Sequence, residues 1–293
     1  MDDQPRLTEI LRAIGQQSRR PLPSRSFGAE DAFGLHVAST IEMRRRAWAM
    51  VYRSYLAKEF AEPNREGLWY GLHDALPSTT TFLVTHRGHD VSTMTVAFDS
   101  PVGLPADALY RDELDRLRTQ GRRPCEMISL ASEGVPFREG TEALKQMFRL
   151  AHLSATYLEG ATDMIITVNP RHTAFYERTL LFTRIGELRS YAKVGGAPAV
   201  LMRIALDTAQ ARWCEKYGND PGSMYRFFYG PEQIDDLMAF LRSARQPLDD
   251  EDISEYFVQR RPLISSSTIE VHRHLQACYP RLESALPLPL VPA

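Results

Sequence analysis

One stretch of the chain, residues 162–181 (TDMIITVNPRHTAFYERTLL), constrains the fold more than any other segment. Its apolar run from Met164 to Val168 is short and continuous, which is typical of a strand covered on both faces. Asn169 is suited to cap a helix and Pro170 to stand in its first turn, where a backbone amide has no helical partner. The segment therefore predicts a buried strand that turns directly into a short helix. In open α/β sheets, ligands bind at such carboxyl ends of strands.

The remainder of the chain is predicted to add strands and helices to the same α/β sheet. Apolar residues recur at helical spacing in several long stretches, and two runs rich in Thr and Val flank a tight turn at Arg87-Gly88. In chain order, we predict a strand at 35–38, helices at about 42–60 and 66–76, hairpin strands at 79–88 and 91–99, a helix at 106–121, a strand at 125–132, a helix at 141–158, the strand and helix described above, and strands at 187–195 and 197–206.

These elements divide the chain into three parts. Residues 1–34 are expected to form an N-terminal extension, with a short helix within LTEILRAIG followed by a loop-like stretch. Residues 35–206 form the α/β domain. Residues 207–293 are expected to be a helical C-terminal extension that finishes in an extended segment, PLPLVPA.

The composition argues against several classes of function. A formal charge of −2 gives no general attraction to nucleic acid or a membrane surface, and no run of 18 apolar residues could span a bilayer. Three widely spaced cysteines predict neither a disulfide framework nor a zinc cluster, so no bound metal is expected. The first residues lack a basic segment followed by an apolar core, which favours a cytoplasmic protein.

Five segments together carry a pattern that extends beyond single elements. They are LPSTTTF at 76–82, DSPVGLP at 99–105, ELDRLRTQGRRPCEMISLA at 113–131, TDMIITVNPRHTAFYERTLLF at 162–182 and IGELRSYAKVGGAPAVLMRIAL at 185–206. In this order they resemble the GNAT acyltransferase fold, and more narrowly the FeeM-like N-acyl amino acid synthases, which are related to autoinducer synthases. The resemblance covers residues 35–206. It implies a mixed, mostly antiparallel central sheet flanked by helices.

The resemblance also implies a reaction, namely transfer of a long fatty acyl chain from acyl carrier protein to the amino group of an amino acid. Two alternatives remain open. An acyl-homoserine lactone synthase would also need S-adenosylmethionine, but the helix RRRAWAMVYRSYLAKEF lacks the dense acidic-aromatic pattern associated with that group. A GNAT-fold binding or regulatory module without catalysis is the other alternative, and the presence of Glu126 and Tyr176 argues against it.

Glu126 and Tyr176 are the predicted catalytic residues. An α-amine with a pKa near ~8 is mostly protonated at pH 7, so the reaction needs a base. Strand alternation places Glu126 on the same face as Ile128 and Leu130, and autoinducer synthases carry a glutamate at a similar place in their fourth strand. In GNAT enzymes a tyrosine on the helix after the fifth strand often protonates the leaving thiolate, and Tyr176 matches that position. The alternatives are a surface glutamate and a tyrosine that caps the core.

Contacts to the substrates are predicted in the same two segments. Backbone amides between Ser129 and Ala131 would bind the oxyanion if their strand is splayed or bulged. Asn169, Arg171 and His172 share the turn before the Tyr176 helix. His172 could replace Glu126 as the base, although a lone histidine beside a proline turn is more often a structural hydrogen-bonding group.

The loop SEGVPFREGT distinguishes two kinds of acyl donor. Acetyl-CoA enzymes of this fold usually carry a glycine-rich Q/R-x-x-G-x-G/A motif here, whereas this loop has only Gly134 and Gly140. Glu133 and Glu139 would repel a pyrophosphate, although a helix N-terminus still favours an anion. The departure favours the acyl-phosphopantetheine of acyl carrier protein over acyl-CoA as co-substrate, with no permanently bound cofactor.

Acyl carrier protein is acidic, so its docking requires local positive charge. Acidic residues interleave with the basic ones in the candidate region, which leaves an ordinary solvated surface as the alternative. The predicted docking residues are Arg118, Arg122, Arg123, Arg138, Lys145 and Arg149.

Overall fold

The computed structural model describes residues 23–28, 32–134 and 137–282, with the backbone alone at 137–139 and 232–233. These residues contain nine strands in the spatial order β1-β2-β3-β4-β5-β6-β9-β7, with β8 pairing separately with β9. The strands are β1 (Ser24–Phe27), β2 (Phe33–Val37), β3 (Thr80–His86), β4 (His89–Phe98), β5 (Pro124–Ser132), β6 (Asp163–Val168), β7 (Thr183–Arg184), β8 (Arg189–Tyr191) and β9 (Ala197–Ala205).

The sheet is mixed and mostly antiparallel, as the sequence predicted. Among the described strands, β5 and β6 are the parallel pair, and every other pairing is antiparallel. The sheet begins earlier than predicted, because β1 and the start of β2 lie within the residues assigned to the N-terminal extension. The helix predicted within LTEILRAIG and the extended end PLPLVPA lie outside the described residues.

Nine α-helices accompany the described strands. They are α1 (Ile41–Leu56), α2 (Asp107–Thr119), α3 (Phe137–Leu153), α4 (Thr173–Thr179), α5 (Leu206–Tyr217), α6 (Met224–Tyr229), α7 (Pro231–Ala244), α8 (Asp250–Ser254) and α9 (Ile269–Cys278). A π-helical turn, Ser154–Leu158, prolongs α3, and another, Glu255–Arg260, follows α8. The predicted helical C-terminal region is therefore confirmed. None of the described helices is long and apolar enough to cross a bilayer.

One predicted helix, at 66–76, is wrong. The structure has only a 3₁₀ turn there, Leu72–Ala75. Asn64 explains the difference, because its Oδ1 accepts hydrogen bonds from the amides of Glu66 (3.1 Å) and Gly67 (2.8 Å) and so holds a turn. Gly67 adopts a φ of +63°, which a helix cannot contain. The segment is therefore a loop, and its apolar residues pack against the C-terminal helices.

The strand-turn-helix at 162–181 forms as predicted. Asn169 Oδ1 accepts a hydrogen bond of 3.2 Å from the amide of Arg171, and Pro170 opens a 3₁₀ turn that continues into α4. The Thr173 hydroxyl donates to the Pro170 carbonyl at 2.9 Å, which fixes the start of α4. These contacts are all local, so the sequence alone contains the information for the turn.

Helices cover both faces of the sheet. The α2 face packs an apolar cluster that includes Tyr110, Leu114, Ile165 and Leu201. The opposite face packs against α3, α4, α5, α6 and α7 in the largest apolar cluster. A further cluster joins Trp48 of α1 to the aromatic residues of the C-terminal segment that follows α7.

Candidate functional site

The functional site begins with an irregularity in β5. The β4–β5 register shifts between Thr93 and Thr95, which oppose Ala131 and Ile128, so Ser129 and Leu130 face a single residue of β4. Ser129 has a φ of +54°, the left-handed conformation that a β-bulge of this kind requires. On the other side, pairing of β5 with β6 stops at Met127. The carboxyl halves of β5 and β6 are therefore unpaired with each other.

A cavity of about 720 Å³ occupies this gap between the two strands. Residues 126–132 of β5 and 166–169 at the end of β6 line it, together with side chains from α1, α3 and α4. All seven residues predicted to be catalytic or to contact substrate lie on its wall: Glu126, Ser129, Ala131, Asn169, Arg171, His172 and Tyr176. Their assignment to individual roles stays a prediction. Their assembly around one cavity is a property of the structure.

Glu126 is a buried carboxylic acid at the floor of this cavity, only 2% exposed. Its Oε2 accepts a hydrogen bond of 2.8 Å from the Ala106 amide, and its Oε1 accepts one of 3.2 Å from the Thr167 hydroxyl. Burial raises the pKa of Glu126 to about 7, although these hydrogen bonds and the charge of Lys193 favour the ionised form. A carboxylic acid with this pKa is present in both protonation states near neutral pH and is suited to proton transfer.

The bulge also changes which side chains share a face of β5. Ile128 packs in the cluster on the α2 face, whereas Leu130 packs in the cluster on the α3 face. The prediction that Glu126, Ile128 and Leu130 lie on one face is therefore wrong at Leu130, because Ser129 breaks the alternation. Glu126 points toward the α2 face, where its oxygen meets the start of α2 at Ala106.

Tyr176 reaches the cavity from the opposite face. It packs in the α3-face cluster, with its ring edge-on to Phe148 (centroids 6.0 Å apart) and to Phe182 (5.8 Å). Burial raises the pKa of Tyr176 to about 12, so the hydroxyl keeps its proton at neutral pH. Tyr176 can therefore supply a proton but cannot serve as a base. The cavity thus has the Glu126 carboxyl on one face of the sheet and the Tyr176 ring on the other.

The turn after β6 contributes a basic rim. The Arg171 Nε donates to the His172 Nε2 at 3.0 Å, and both side chains are exposed. Burial, followed by the charges of Arg171 and Lys58, lowers the pKa of His172, so the ring is neutral at pH 7. Because its Nε2 accepts a hydrogen bond from Arg171, His172 is less suited than Glu126 to accept a proton from substrate. Asn169 caps the turn through its side-chain oxygen.

Several cavity residues were not predicted from the sequence. Burial raises the pKa of Tyr55, at the end of α1, to about 12, and lowers the pKa of His73 to about 4. The Tyr191 hydroxyl donates to the Pro105 carbonyl at 3.0 Å. The segment SYAKVGG contained a usable signal for Tyr191 and Lys193, because a polar stretch before two glycines indicated a turn next to the sheet. No three His, Cys, Asp or Glu side chains come together as metal ligands in the part of the chain that the structure describes.

Two of the predicted docking residues, Arg118 and Arg122, do not line this cavity. Arg118 is bound by Asp99 (2.8 Å), Asp107 (2.7 Å) and Asp115 (2.7 Å), and Arg122 by two further carboxylates. Because these charges are already neutralised, they offer little attraction to an acidic partner. Both arginines precede β5, and from there to the bulge is roughly 20 Å along the strand.

Of the remaining docking candidates, the structure describes the side chains of Lys145, Arg149 and Arg123. Lys145 pairs with Glu142 at 2.9 Å and lies 4.8 Å from the centre of the Phe227 ring. Arg149 is only 2% exposed and packs over the same ring at 5.1 Å, so its predicted docking role is wrong: a carrier protein cannot reach it. Arg123 is exposed and has no carboxylate partner among the described residues. The side chain of Arg138 lies outside the described residues.

Comparison with known proteins places this site in a family context. The family model described as "N-acyl amino acid synthase FeeM" matches residues 46–205, more than half of the chain. The solved structure of FeeM, an N-acyl amino acid synthase from uncultured soil microbes, superposes with a TM-score of 0.53 at 24% identity, covering 61% of this chain and 94% of FeeM. This likeness shows a GNAT-like acyltransferase fold, as the sequence predicted.

Two further solved structures superpose with lower TM-scores. The AHL synthase LasI gives a TM-score of 0.44 at 13% identity, covering 63% of this chain and 95% of LasI. TofI, solved in a ternary complex with an inhibitor and MTA, gives 0.46 at 14% identity, covering 59% and 91%. A search of curated proteins gives no significant match.

Proposed function

Because this chain belongs to the FeeM family of N-acyl amino acid synthases and is an N-acyltransferase, we propose that it moves a long-chain fatty acyl group from acyl carrier protein to the amino group of an amino acid. The observation that carries the proposal is the buried Glu126 in the gap between β5 and β6, facing a cavity that reaches Tyr176 on the other face of the sheet. Cys125, Cys214 and Cys278 are free thiols, which fits a reducing compartment, and we place the enzyme in the cytoplasm.

In the proposed mechanism, Glu126 accepts a proton from the ammonium group of the acceptor. The neutral amine then attacks the thioester carbonyl, forming the C–N bond and a tetrahedral intermediate. As the intermediate collapses, the C–S bond breaks and the Tyr176 hydroxyl donates its proton to the departing thiolate. The products are an N-acyl amino acid and the free pantetheine thiol. The second proton of the nitrogen passes to the Tyr176 oxygen and restores its hydroxyl, and Glu126 releases the first proton to solvent.

The oxyanion of the intermediate is proposed to lie against the bulge in β5. Ser129 and Leu130 face one residue of β4, so the regular ladder of backbone hydrogen bonds is interrupted beside the cavity. Backbone amides between Ser129 and Ala131 are therefore the proposed donors to the oxyanion, which agrees with the prediction from the sequence. Ser129 and Ala131 both line the cavity, which supports this placement.

A carrier-protein donor is supported by the charges around the cavity. Lys58 and Arg171 both line it and are both exposed, and the charge of Arg171 contributes to lowering the pKa of Lys58, after burial. Neither side chain has a carboxylate partner among the described residues. We therefore propose these two residues as the site that attracts the acidic carrier, in place of Arg118 and Arg122.

The loop before α3 suits carrier-bound pantetheine better than coenzyme A as the acyl donor. Glu133 is paired with Arg53 at 2.9 Å, so its charge is neutralised, and the loop has only Gly134 and Gly140 in place of a glycine-rich phosphate cradle. Coenzyme A brings a pyrophosphate and a 3′-phosphate, whereas a carrier-bound pantetheine brings a single phosphate diester. A loop without a glycine-rich cradle fits the single phosphate of the carrier-bound arm better than the three phosphates of coenzyme A.

The experiment that tests the proposed function is mass spectrometry of lipid extracts from bacteria overproducing the chain. Wild-type protein is expected to yield a series of N-acyl amino acids whose masses identify both the acceptor and the acyl length. Glu126→Gln is expected to abolish most of this series, because it removes the proton acceptor but keeps the size of the side chain. Glu177→Gln is the matched control, since Glu177 is exposed and lies on α4 beside Tyr176.

Three outcomes would count against the proposal. Extracts without any acyl amide, from cells that contain folded protein, would refute the reaction. An acyl-homoserine lactone in place of acyl amino acids would show that the acceptor is S-adenosylmethionine. A full product series from the Glu126→Gln variant would remove Glu126 from the base role.

A further inference from the structure

The C-terminal segment holds the loop that forms one wall of the cavity. This loop, residues 57–79, carries Trp69, Tyr70, His73 and Asp74 to the cavity. Three hydrogen bonds attach it to the C-terminal segment: the Tyr70 hydroxyl donates to the Tyr256 carbonyl (3.0 Å), the Tyr279 hydroxyl to the Ala75 carbonyl (2.6 Å) and the Arg245 guanidinium to the Ser78 carbonyl (2.6 Å). The wall therefore depends on residues beyond 205, where the family match ends.

Arg261 brings a charge from this segment to the cavity wall. Its Nη1 donates to the Tyr70 carbonyl at 2.7 Å, and its guanidinium lies 4.8 Å from the centre of the Tyr70 ring. These two contacts hold the side chain in one orientation. Within the described ranges Arg261 forms no ion pair with a carboxylate, so its other N–H groups remain available to a ligand.

Lys193 is a second cation that lines the cavity. It follows β8, and its charge acts on Glu126, His73 and Asp74. Among the residues that the structure describes, Lys193 has neither a hydrogen bond nor an ion pair.

Within the described part of the chain, neither carboxyl that lines the cavity forms an ion pair with Arg261 or Lys193. Asp74 is buried and already accepts hydrogen bonds from the Trp48 indole (3.0 Å) and the Gly71 amide (2.9 Å). Glu126 is likewise buried and accepts two hydrogen bonds. Arg261 and Lys193 therefore leave this part of the cavity with an excess of positive charge, which favours an anionic group on the ligand.

We propose that Arg261 and Lys193 bind the carboxylate of the acceptor amino acid, so that the C-terminal segment completes the acceptor site. The inference rests on the proposed function and adds to it the residues that select the acceptor. In an α-amino acid the amine is attached one carbon from the carboxylate. A carboxylate held at Lys193 therefore brings the amine toward Glu126, because the charge of Lys193 also acts on the Glu126 carboxyl. A guanidinium is well suited to this task because it binds carboxylates with two parallel hydrogen bonds.

The test compares an amino acid acceptor with its own carboxamide, which keeps the amine and the side chain but lacks the negative charge. We would measure kcat/KM for both acceptors with an acyl-pantetheine thioester. Arg261→Gln is expected to lower the preference for the acid over the amide by about tenfold to a hundredfold, the range for a charge-assisted hydrogen bond. Arg261→Lys should retain part of the preference. Calorimetric binding of acid and amide gives a second readout that does not depend on turnover.

Arg260→Gln is the matched control. Arg260 is the neighbouring residue, is exposed, and pairs with Glu255 at 2.5 Å outside the cavity. Its substitution should leave the ratio of acid to amide unchanged. Lys193→Gln provides a variant that does not touch the packing of the C-terminal segment, and it should lower the same ratio even if Arg261→Gln fails to fold.

The outcomes separate this inference from the proposed function. An unchanged ratio in both Arg261→Gln and Lys193→Gln, or an equal loss for acid and amide, would overturn the carboxylate site and leave the acyltransferase reaction intact. A wild-type protein that acylates neither acceptor would instead refute the proposed function. A loss confined to the acid, in kcat/KM and in binding, is the result that supports the inference.

Discussion

Replacement of Glu126 by glutamine should raise the free energy of unfolding, and the gain should increase with pH. Burial raises the pKa of Glu126 from its ordinary value of 4.5 to about 7 in the folded state. Between these two values the unfolded chain has released the proton and the folded chain has not, so folding becomes less favourable as the pH rises. Each pH unit in this interval costs about 1.4 kcal/mol, or about 3 kcal/mol in total. The stability that the protonated carboxyl provides is complete below pH 4.5 and is lost as the pH passes 7.

Glutamine does not titrate, so the variant escapes this cost. Its amide oxygen can still accept from the Ala106 amide, and the Thr167 hydroxyl can accept from its nitrogen, which preserves the local contacts. The difference in unfolding free energy between variant and wild type should therefore be small near pH 4.5 and reach about 3 kcal/mol above pH 7. Titrating groups shared by both proteins cancel in this difference.

Urea denaturation at half-unit intervals from pH 4.5 to 8.5 measures this difference directly. The activity of wild type should rise through a midpoint near pH 7 as Glu126 ionises, and this limb should be missing from the residual activity of Glu126→Gln. The exposed Glu177→Gln control should show a flat stability difference. A stability difference for Glu126→Gln that stays constant within about 0.5 kcal/mol across this range would refute the reasoning.

Three further variants test the other parts of the site. Tyr176→Phe should lower kcat by about 10- to 100-fold with little change in the KM for the donor. The loss is moderate because a thiolate can depart without being fully protonated. Unchanged single-turnover rates would exclude the acid role. Ser129→Val should lower the free energy of unfolding in urea by about 1–2 kcal/mol, because the φ of +54° at this position disfavours a side chain branched at Cβ. Ser129→Gly should not lower it, and an equal loss in both variants would contradict a strained bulge. Lys58→Glu should raise the KM for the acyl carrier protein thioester about tenfold at low salt. This increase should exceed both its effect on the KM for free acyl-pantetheine and the effect of Arg123→Glu. Equal effects on both donors would argue against docking at Lys58.

The parts of the fold that depend on local contacts could be predicted from the sequence. Asn169 caps its own turn, Pro170 begins it, and the β3–β4 hairpin closes at Arg87-Gly88, all through residues close in the chain. The positions of Glu126 and Tyr176 followed from these elements and from the resemblance. Their position at the carboxyl ends of β5 and β6 follows from strand order and local turns, whereas the cavity between them also needs the bulge and the C-terminal segment.

Features that depend on distant residues could not be predicted. The residues of CEMISLAS do not predict the positive φ of Ser129, because the bulge is set by the register between β4 and β5. The neutralisation of Arg118 comes from carboxylates up to 19 residues away, which meet it only in the folded chain. Arg261 reaches the wall through a contact with Tyr70 that spans 191 positions. Local periodicity carries no information about such pairs.

The attachment of the cavity wall to the C-terminal segment has a consequence for the order of events during synthesis. Tyr70 leaves the ribosome long before Tyr256, the residue whose carbonyl fixes it, since the two are 186 positions apart. At 5–20 residues per second, residues 206–282 take about 4 to 15 s to be made after β9 is complete. During that interval all strands of the sheet have been synthesised, whereas the residues that hold the loop at 57–79 have not. The residues proposed to bind the acceptor carboxylate are therefore completed last, because Arg261 is made after every strand of the sheet.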